Sequence, residues 1–273
     1  MHLQDLTTVD DFRRVVELER QIWGLESGED VVSVPVFVAS IKRGGLLVGA
    51  FDGTALVGFV YSFPGLKHGA PMQWSHMLGV AEGWRHAGVG YRLKLAQRER
   101  TLAQGLDLVE WTFDPLQAPN AHLNFARLGG IAEEYLRDVY GDSVSPLHRG
   151  APTDRFILQW HLRSPRVVAR LGGAELPTAV SERHAPLVNP TRAEGRWRVC
   201  DEPRHLPDGH GEVRVEIPPD FGGMLLAAPP VALAWRLATR AIFEHYLARG
   251  YQVREFLASR QDGGGHYLLG RSR

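Results

Sequence analysis

The chain has 273 residues, 44% of them hydrophobic, enough for one large domain or two small ones, and its 31 Lys+Arg balance 31 Asp+Glu, so no strong field favours nucleic acid or an anionic membrane. A single cysteine, Cys200, excludes an intrachain disulfide, and no apolar run approaches the ~20 residues needed to cross a bilayer. The acidic opening MHLQDLTTVDDF lacks the basic and apolar regions of a secretory signal, so a cytoplasmic protein is expected.

Residues 10–23 carry a helical stripe of Phe12, Val15, Val16, Ile22 and Trp23, with Asp10 as the expected cap. Ser33-Val34-Pro35 opens a second helix that stops at Gly44-Gly45. Residues 46–51 and 55–63 read as strands joined through Asp52-Gly53, a hairpin signal. Residues 72–80 form a strand, followed by the turn Arg85-His86-Ala87-Gly88-Val89-Gly90 and a helix reaching Gln104. That helix places Val89, Leu93, Ala96 and Ala103 on its apolar side and Arg98, Glu99 and Arg100 in solvent. Residues 108–113 are a strand, Asn120 opens a helix ended by Gly129-Gly130, and 131–140 and 155–162 are strands.

The texture then changes, since twelve of the 17 prolines lie between Pro146 and Pro230. Residues 177–211 read as irregular chain. Residues 212–217 alternate as a strand stopped by Pro218-Pro219. Residues 231–249 are helical, with Leu233, Leu237, Ile242, Tyr246 and Leu247 on the apolar side, and 251–257 return as a strand. This terminal strand–helix–strand is either a degenerate half-copy of the core or a common packing unit; the second is preferred.

The glycine turn carries the chemistry. A helix N-terminus offers unpaired N–H groups and the positive end of the helix dipole, a seat for phosphate or pyrophosphate. Gly88 and Gly90, lacking Cβ, let an anion approach the backbone. A dinucleotide fingerprint needs another glycine spacing and a later acidic residue, and a P-loop needs Gly-Lys-Ser/Thr; neither is present. On spacing alone, an ordinary strand–turn–helix remains open.

The surroundings narrow it. Residues 72–104, with Leu78-Gly79-Val80 leading into Arg85-x-x-Gly88-x-Gly90, resemble the acyl-CoA-binding core of the GNAT acyltransferase superfamily. The strand Leu108-Val109-Glu110-Trp111-Thr112-Phe113 and the helix from Asn120 to Gly130 follow in the same order. The resemblance implies an α+β fold: a mixed central sheet flanked by helices over residues 1–165, with 166–273 as an accessory region. It implies acetyl-CoA or another acyl-CoA, succinyl-CoA included, as co-substrate, and a small-molecule amine, an amino acid among the choices, as acceptor. A homodimer is allowed. Arg85, His86, Ala87, Gly88, Val89 and Gly90 would hold the pyrophosphate. Leu78, Gly79 and Val80 would pair with the pantetheine amides, and the Val80 N–H would polarise the thioester carbonyl. Asn120 and Asn124 would line the groove, although Asn120 also reads as a helix cap.

His76, two residues before Leu78, is expected on the same side of the pleat and is the first choice of general base, with a structural histidine as the alternative. Glu110 and Asp114 are runners-up, each otherwise a solvated carboxylate. Where the family often has a proton-donating tyrosine, this chain has Phe125, so the acid is unassigned, Tyr91 or a water being substitutes. Arg127, Arg149 and Arg155 are candidates for a substrate carboxylate. The twelve histidines are scattered, and no metal is expected. The competing reading is a non-catalytic acyl-CoA-binding sensor or scaffold.

Overall fold

A computed structural model describes residues 1–24, 31–141, 151–173, 185–201, 203, 206–259 and 264–271. The first helix, α1 (Val9–Trp23), begins at a capping box in which the Asp11 N–H donates to Thr8 Oγ1 at 3.2 Å and the Thr8 N–H donates to the Asp11 carboxylate at 3.0 Å. Asp10, the expected cap, instead pairs with Arg13 one turn on. The reciprocal Thr-x-x-Asp pair satisfies two amides where a lone aspartate would satisfy one.

The chain divides into two compact units, the first holding Met1–Trp111 and His161–Arg163. In it, β1 (His2–Asp5), β2 (Leu46–Asp52), β3 (Ala55–Lys67) and β4 (Ala70–Val80) are successive antiparallel neighbours, and β5 (Leu108–Phe113) lies parallel to β4. α1 and α2 (Val34–Ile41) cover one face, packing Phe12, Val15 and Phe37 on Phe59 and Tyr61. α3 (Val89–Ala103) covers the other, packing Val89, Leu93 and Ala96 on Val48 and Val60. The expected mixed sheet flanked by helices is therefore present. The inner side of α3 departs from expectation: Ala103 is exposed, whereas Lys94, Gln97 and Thr101 are buried. Arg98 and Arg100 are not simply solvated. Arg98 donates to the Leu162 carbonyl at 2.8 and 3.2 Å, and Arg100 pairs with Asp5.

The second unit holds β6 (Ile131–Leu136), β10 (Glu212–Ile217), β11 (Tyr251–Ala258) and β12 (Gly265–Arg271) with β7 (Arg155–His161), in the order β7-β6-β11-β12-β10, all antiparallel. α4 (Ala118–Ala121) starts two residues before Asn120, which is therefore exposed inside the first turn and not its cap. It runs into a π-helical stretch, His122–Arg127. The wider winding separates Asn120, Asn124 and Arg127, which a regular α-helix would set on one face: Asn124 is buried, the other two exposed. α5 (Pro165–Leu171), the hairpin β8 (Arg192–Glu194) with β9 (Trp197–Val199), and β12 have no counterpart among the elements the sequence predicts; the hairpin lies within residues 177–211, where irregular chain is expected.

α6 (Phe221–Ala227) is capped by Asp220, and α7 (Pro229–Leu247) buries Trp235, Arg236, Ile242, Phe243 and Tyr246 but exposes Leu233 and Leu237, correcting its expected apolar side. Around α7, Phe156, Phe243 and Tyr267 stack edge to face with centroids 4.7–5.6 Å apart. Arg236 Nη2 donates to Asp114 at 2.8 Å, and Arg240 donates to Asp154 at 2.7 and 2.8 Å. Burial works to raise the Asp114 carboxyl, but the charge and hydrogen bond of Arg236 outweigh it and hold it below its ordinary range. Removing one member of such a pair strands the other charge. Arg236→Met should therefore lower the unfolding free energy by about 3–5 kcal/mol, and adding Asp114→Leu should restore part of the loss. Urea denaturation of the three variants checks this.

Candidate active site

The site begins with a register shift. β4 pairs with β3 from Val80 back to Met77↔Tyr61, then resumes at Ser75↔Ser62, so His76 is the extra residue of a β-bulge. The bulge overturns the expected geometry. His76 does not share a face with Leu78, because the extra residue breaks the alternation of the pleat. Its ring lies 5.6 Å from Phe63 and 6.0 Å from Tyr61, on the α1/α2 face, whereas Leu78 packs with α3. His76 keeps an exposed edge, yet the crowding of its ring removes enough water to push the imidazole below its ordinary value.

Beside the bulge, the two parallel strands part. Pairing of β4 with β5 comprises Gln73↔Val109 and Trp74↔Glu110. Among the described residues, β4 from Ser75 to Val80 pairs with β3 alone, so the edge that carries Leu78, Gly79 and Val80 is open on the β5 side. An extended amide chain laid there would complete a strand. Arg85 Nε reaches the Val80 carbonyl at 3.4 Å and ties the end of this edge to the turn.

In the turn, the Arg85 and Ala87 N–H groups donate back to Glu82 and Trp84 at 3.1 and 3.4 Å. These two amides, expected to face a pyrophosphate, are engaged within the chain. The first internal bond of α3 runs from the Arg92 N–H to the Gly88 carbonyl at 3.1 Å, which leaves the amides of Gly88, Val89 and Gly90, with that of His86 before them, without an acceptor among the described residues. Gly88 caps α3 in the left-handed region at φ 76°, and His86 adopts φ 66°. Gly90 is different: a Cβ there would touch Leu78 Cδ2 at 3.6 Å, an ordinary contact.

The candidate carboxylates are not solvated. Glu110 is buried and ion-paired with Lys67, and Asp114 pairs with Arg236. Glu110 is occupied by Lys67, whereas His76 keeps an exposed edge, so His76 remains the first base candidate. Asn120, Asn124 and Phe125 belong to the second unit, where Phe125 is fully buried. Arg127 is exposed there, Arg155 lies over the Tyr140 ring at 5.1 Å, and Arg149 falls outside the described residues. Tyr91, the other acid candidate, is half-buried on the first turn of α3. Among the described residues no group of three His, Cys, Asp or Glu side chains could hold a metal ion.

Two buried groups escaped the sequence reading. Glu19 on α1 accepts the Val32 N–H at 3.2 Å, and burial pushes its carboxyl up to about 7. Lys94 is buried against Ser75, Gln97 and Trp111. Their only sequence signal was a charge falling on the inner side of an amphipathic helix.

No protein-family profile matches the chain, and no curated relative matches it. Among solved structures it is similar to an aminoglycoside 6'-acetyltransferase type Ii (17% identity, 60% of this chain and 99% of that one, TM-score 0.47). It is similar too to the ribosomal-protein-S18-alanine N-acetyltransferase of Escherichia coli (14%, 59% and 93%, 0.46). A third is the PaiA N-acetyltransferase of Thermoplasma acidophilum in complex with coenzyme A (17%, 59% and 99%, 0.43).

The two glycines of the turn should behave differently. Gly88→Ala, forced into left-handed backbone, should cost about 1–2 kcal/mol, whereas Gly90→Ala should change stability by less than about 0.5 kcal/mol. Thermal unfolding of both variants measures the contrast.

Proposed function

We propose that the chain is a GNAT-type acyltransferase that moves an acetyl or succinyl group from CoA to the amine of a small molecule, such as an amino acid, by direct transfer. The observation that carries this reading is the parting of β4 from β5 after Trp74↔Glu110, beside a helix whose first amides are free. The pyrophosphate would rest on the amides of Gly88, Val89 and Gly90, with Arg85 as a charged neighbour. The pantetheine arm would run along the open β4 edge past Val80, Gly79 and Leu78, which would bring the thioester toward His76 and Ser75, beyond the Val80 N–H first expected to meet it. Residues 1–165 would supply this chemistry, and the remainder would be accessory.

His76 is the base. The bulge sets it on the α1/α2 face, and desolvation keeps it neutral at pH 7, ready to take a proton from the acceptor ammonium. Activity should rise with pH along an acid limb centred below 6.5, the ordinary histidine value, because the base works only when deprotonated. His76→Ala should remove that limb and lower kcat by about 10²–10⁴-fold while CoA affinity stays within a few-fold. The buried Phe125, with no proton to give, favours a second reading as a sensor. CoA binding without turnover on any amine would support that alternative.

Calorimetric titration with CoA, acetyl-CoA and succinyl-CoA, repeated on Gly88→Glu, tests the binding site. Micromolar affinity that disappears in the glutamate variant is the expected result. Absence of binding by all three to folded protein would sink the acyl-CoA reading.

A further inference from the structure

Lys94 is 1% exposed, yet no carboxylate among the described residues pairs with it. Its ammonium is held by three electron-rich neighbours: Ser75 Oγ at 2.9 Å, Gln97 Oε1 at 3.1 Å and the Trp111 ring, whose centroid lies 3.5 Å away. Its three partners, on β4, α3 and β5, are thus neutral. The nearest carboxylate along β5, Glu110, is already paired with Lys67. Desolvation moves the amine well below its ordinary value, so an ammonium here gives up its proton readily.

Its position matters more than its burial. The last pair joining β4 to β5 is Trp74↔Glu110, and the next residue on each strand is Ser75 and Trp111. Lys94 touches both, so it lies where the two strands begin to part. A chain that starts at the amides of α3 and follows the open β4 edge away from Val80 reaches this point after five residues, about 16 Å. Ser75 Oγ accepts from Lys94 Nζ and from Gln97 Nε2 at 3.0 Å, which fills both of its lone pairs. Its hydroxyl hydrogen has no acceptor among the described residues and is left to donate.

Resting on the acyl-CoA reading above, we propose that Lys94, acting through the Ser75 hydroxyl, supplies the proton taken up by the departing CoA thiolate. As the carbon–sulfur bond breaks, its electron pair goes to sulfur; Ser75 Oγ–H protonates the sulfur, and Lys94 Nζ–H reprotonates the oxygen. The products of the step are free thiol and neutral lysine, which regains its proton from solvent once the product leaves. Ser75 is then the group that touches the reacting atom, and Lys94 is the proton source behind it. Phe125, which has no proton to give, need not be replaced at its own position.

The test uses the whole protein with labelled lysine side chains, which is tractable because the chain has three lysines, Lys42, Lys67 and Lys94. In NMR, the Lys94 amine should titrate lowest of the three and shift when CoA is added. Lys94→Met should lower kcat by roughly 10²-fold and abolish the basic limb of the pH–rate profile, with the Kd for CoA unchanged. Ser75→Ala, a smaller change that keeps the fold if the methionine variant does not, should lose kcat to a similar extent. CoA binding and turnover with no Lys94 shift, or with kcat retained in both variants, would overturn the proposal and leave the acyltransferase reading standing. Failure of the native protein to bind CoA would overturn both.

Discussion

The first unit is organised around the point at which β4 stops pairing with β5. A parallel pair normally continues until one strand ends, because each abandoned residue gives up ladder hydrogen bonds. Here pairing ceases at Trp74↔Glu110 while β4 runs on to Val80. The bulge at His76 coincides with this point. It puts His76 and Met77 on the α1/α2 face while Ser75 and Leu78 face α3. In the proposed reaction, donor and acceptor chemistry would thereby fall on opposite faces of one strand, joined by a single extra residue. Glycines permit the close packing that this needs. A Cβ at Gly79 would sit 2.9 Å from Ile22 Cδ1 and 2.9 Å from Phe59, so α1 can lie directly over the open part of β4.

Polar groups inside the two units play different parts. In the second unit, buried charges are paired: Asp114 with Arg236, Asp154 with Arg240, and Glu255 with Arg166 and Arg170. Pairs of this kind add little net stability, since desolvation cancels much of their attraction, but they penalise every arrangement in which one partner is misplaced. The aromatic cluster around Tyr267, whose hydroxyl donates to the Pro115 carbonyl at 2.7 Å, supplies the apolar contribution. In the first unit, the partners of Lys94 among the described residues, Ser75, Gln97 and Trp111, are neutral. That arrangement leaves its proton loosely held, which a structural ion pair would not do.

What could be read from the sequence was local. The Asp52-Gly53 hairpin, the glycine turn before α3 and the alternation of Glu212–Ile217 each depend on neighbours a few residues apart, and each formed where expected. The bulge could not be read, because alternation along β4 looks the same with or without an extra residue until pairing with β3 is known. The π-helical stretch after Ala121 was hidden for the same reason: helical periodicity assumes one winding. On α7 the expected Ile242 and Tyr246 are buried, but Leu233 and Leu237 are not: leucines outrank arginine in hydrophobicity, whereas the buried place of Arg236 depends on Asp114, 122 positions away. The phosphate turn was legible as a motif, but not which of its amides the chain would itself consume.

The choice of lysine at position 94 follows from the chemistry asked of it. This chain uses arginine for nearly all of its positive charge; only three of its 31 basic side chains are lysine. Arginine would suit a purely structural cation at least as well, since its planar fork satisfies more acceptors and stacks on indole rings. It would also remain charged at every accessible pH. A compact ammonium between Ser75 and Trp111 differs in one respect that a structural role does not need: burial lowers the amine's hold on its proton. Closing the Ser75–Gln97–Lys94 triangle with neutral acceptors, where a carboxylate would have anchored the charge, preserves that freedom.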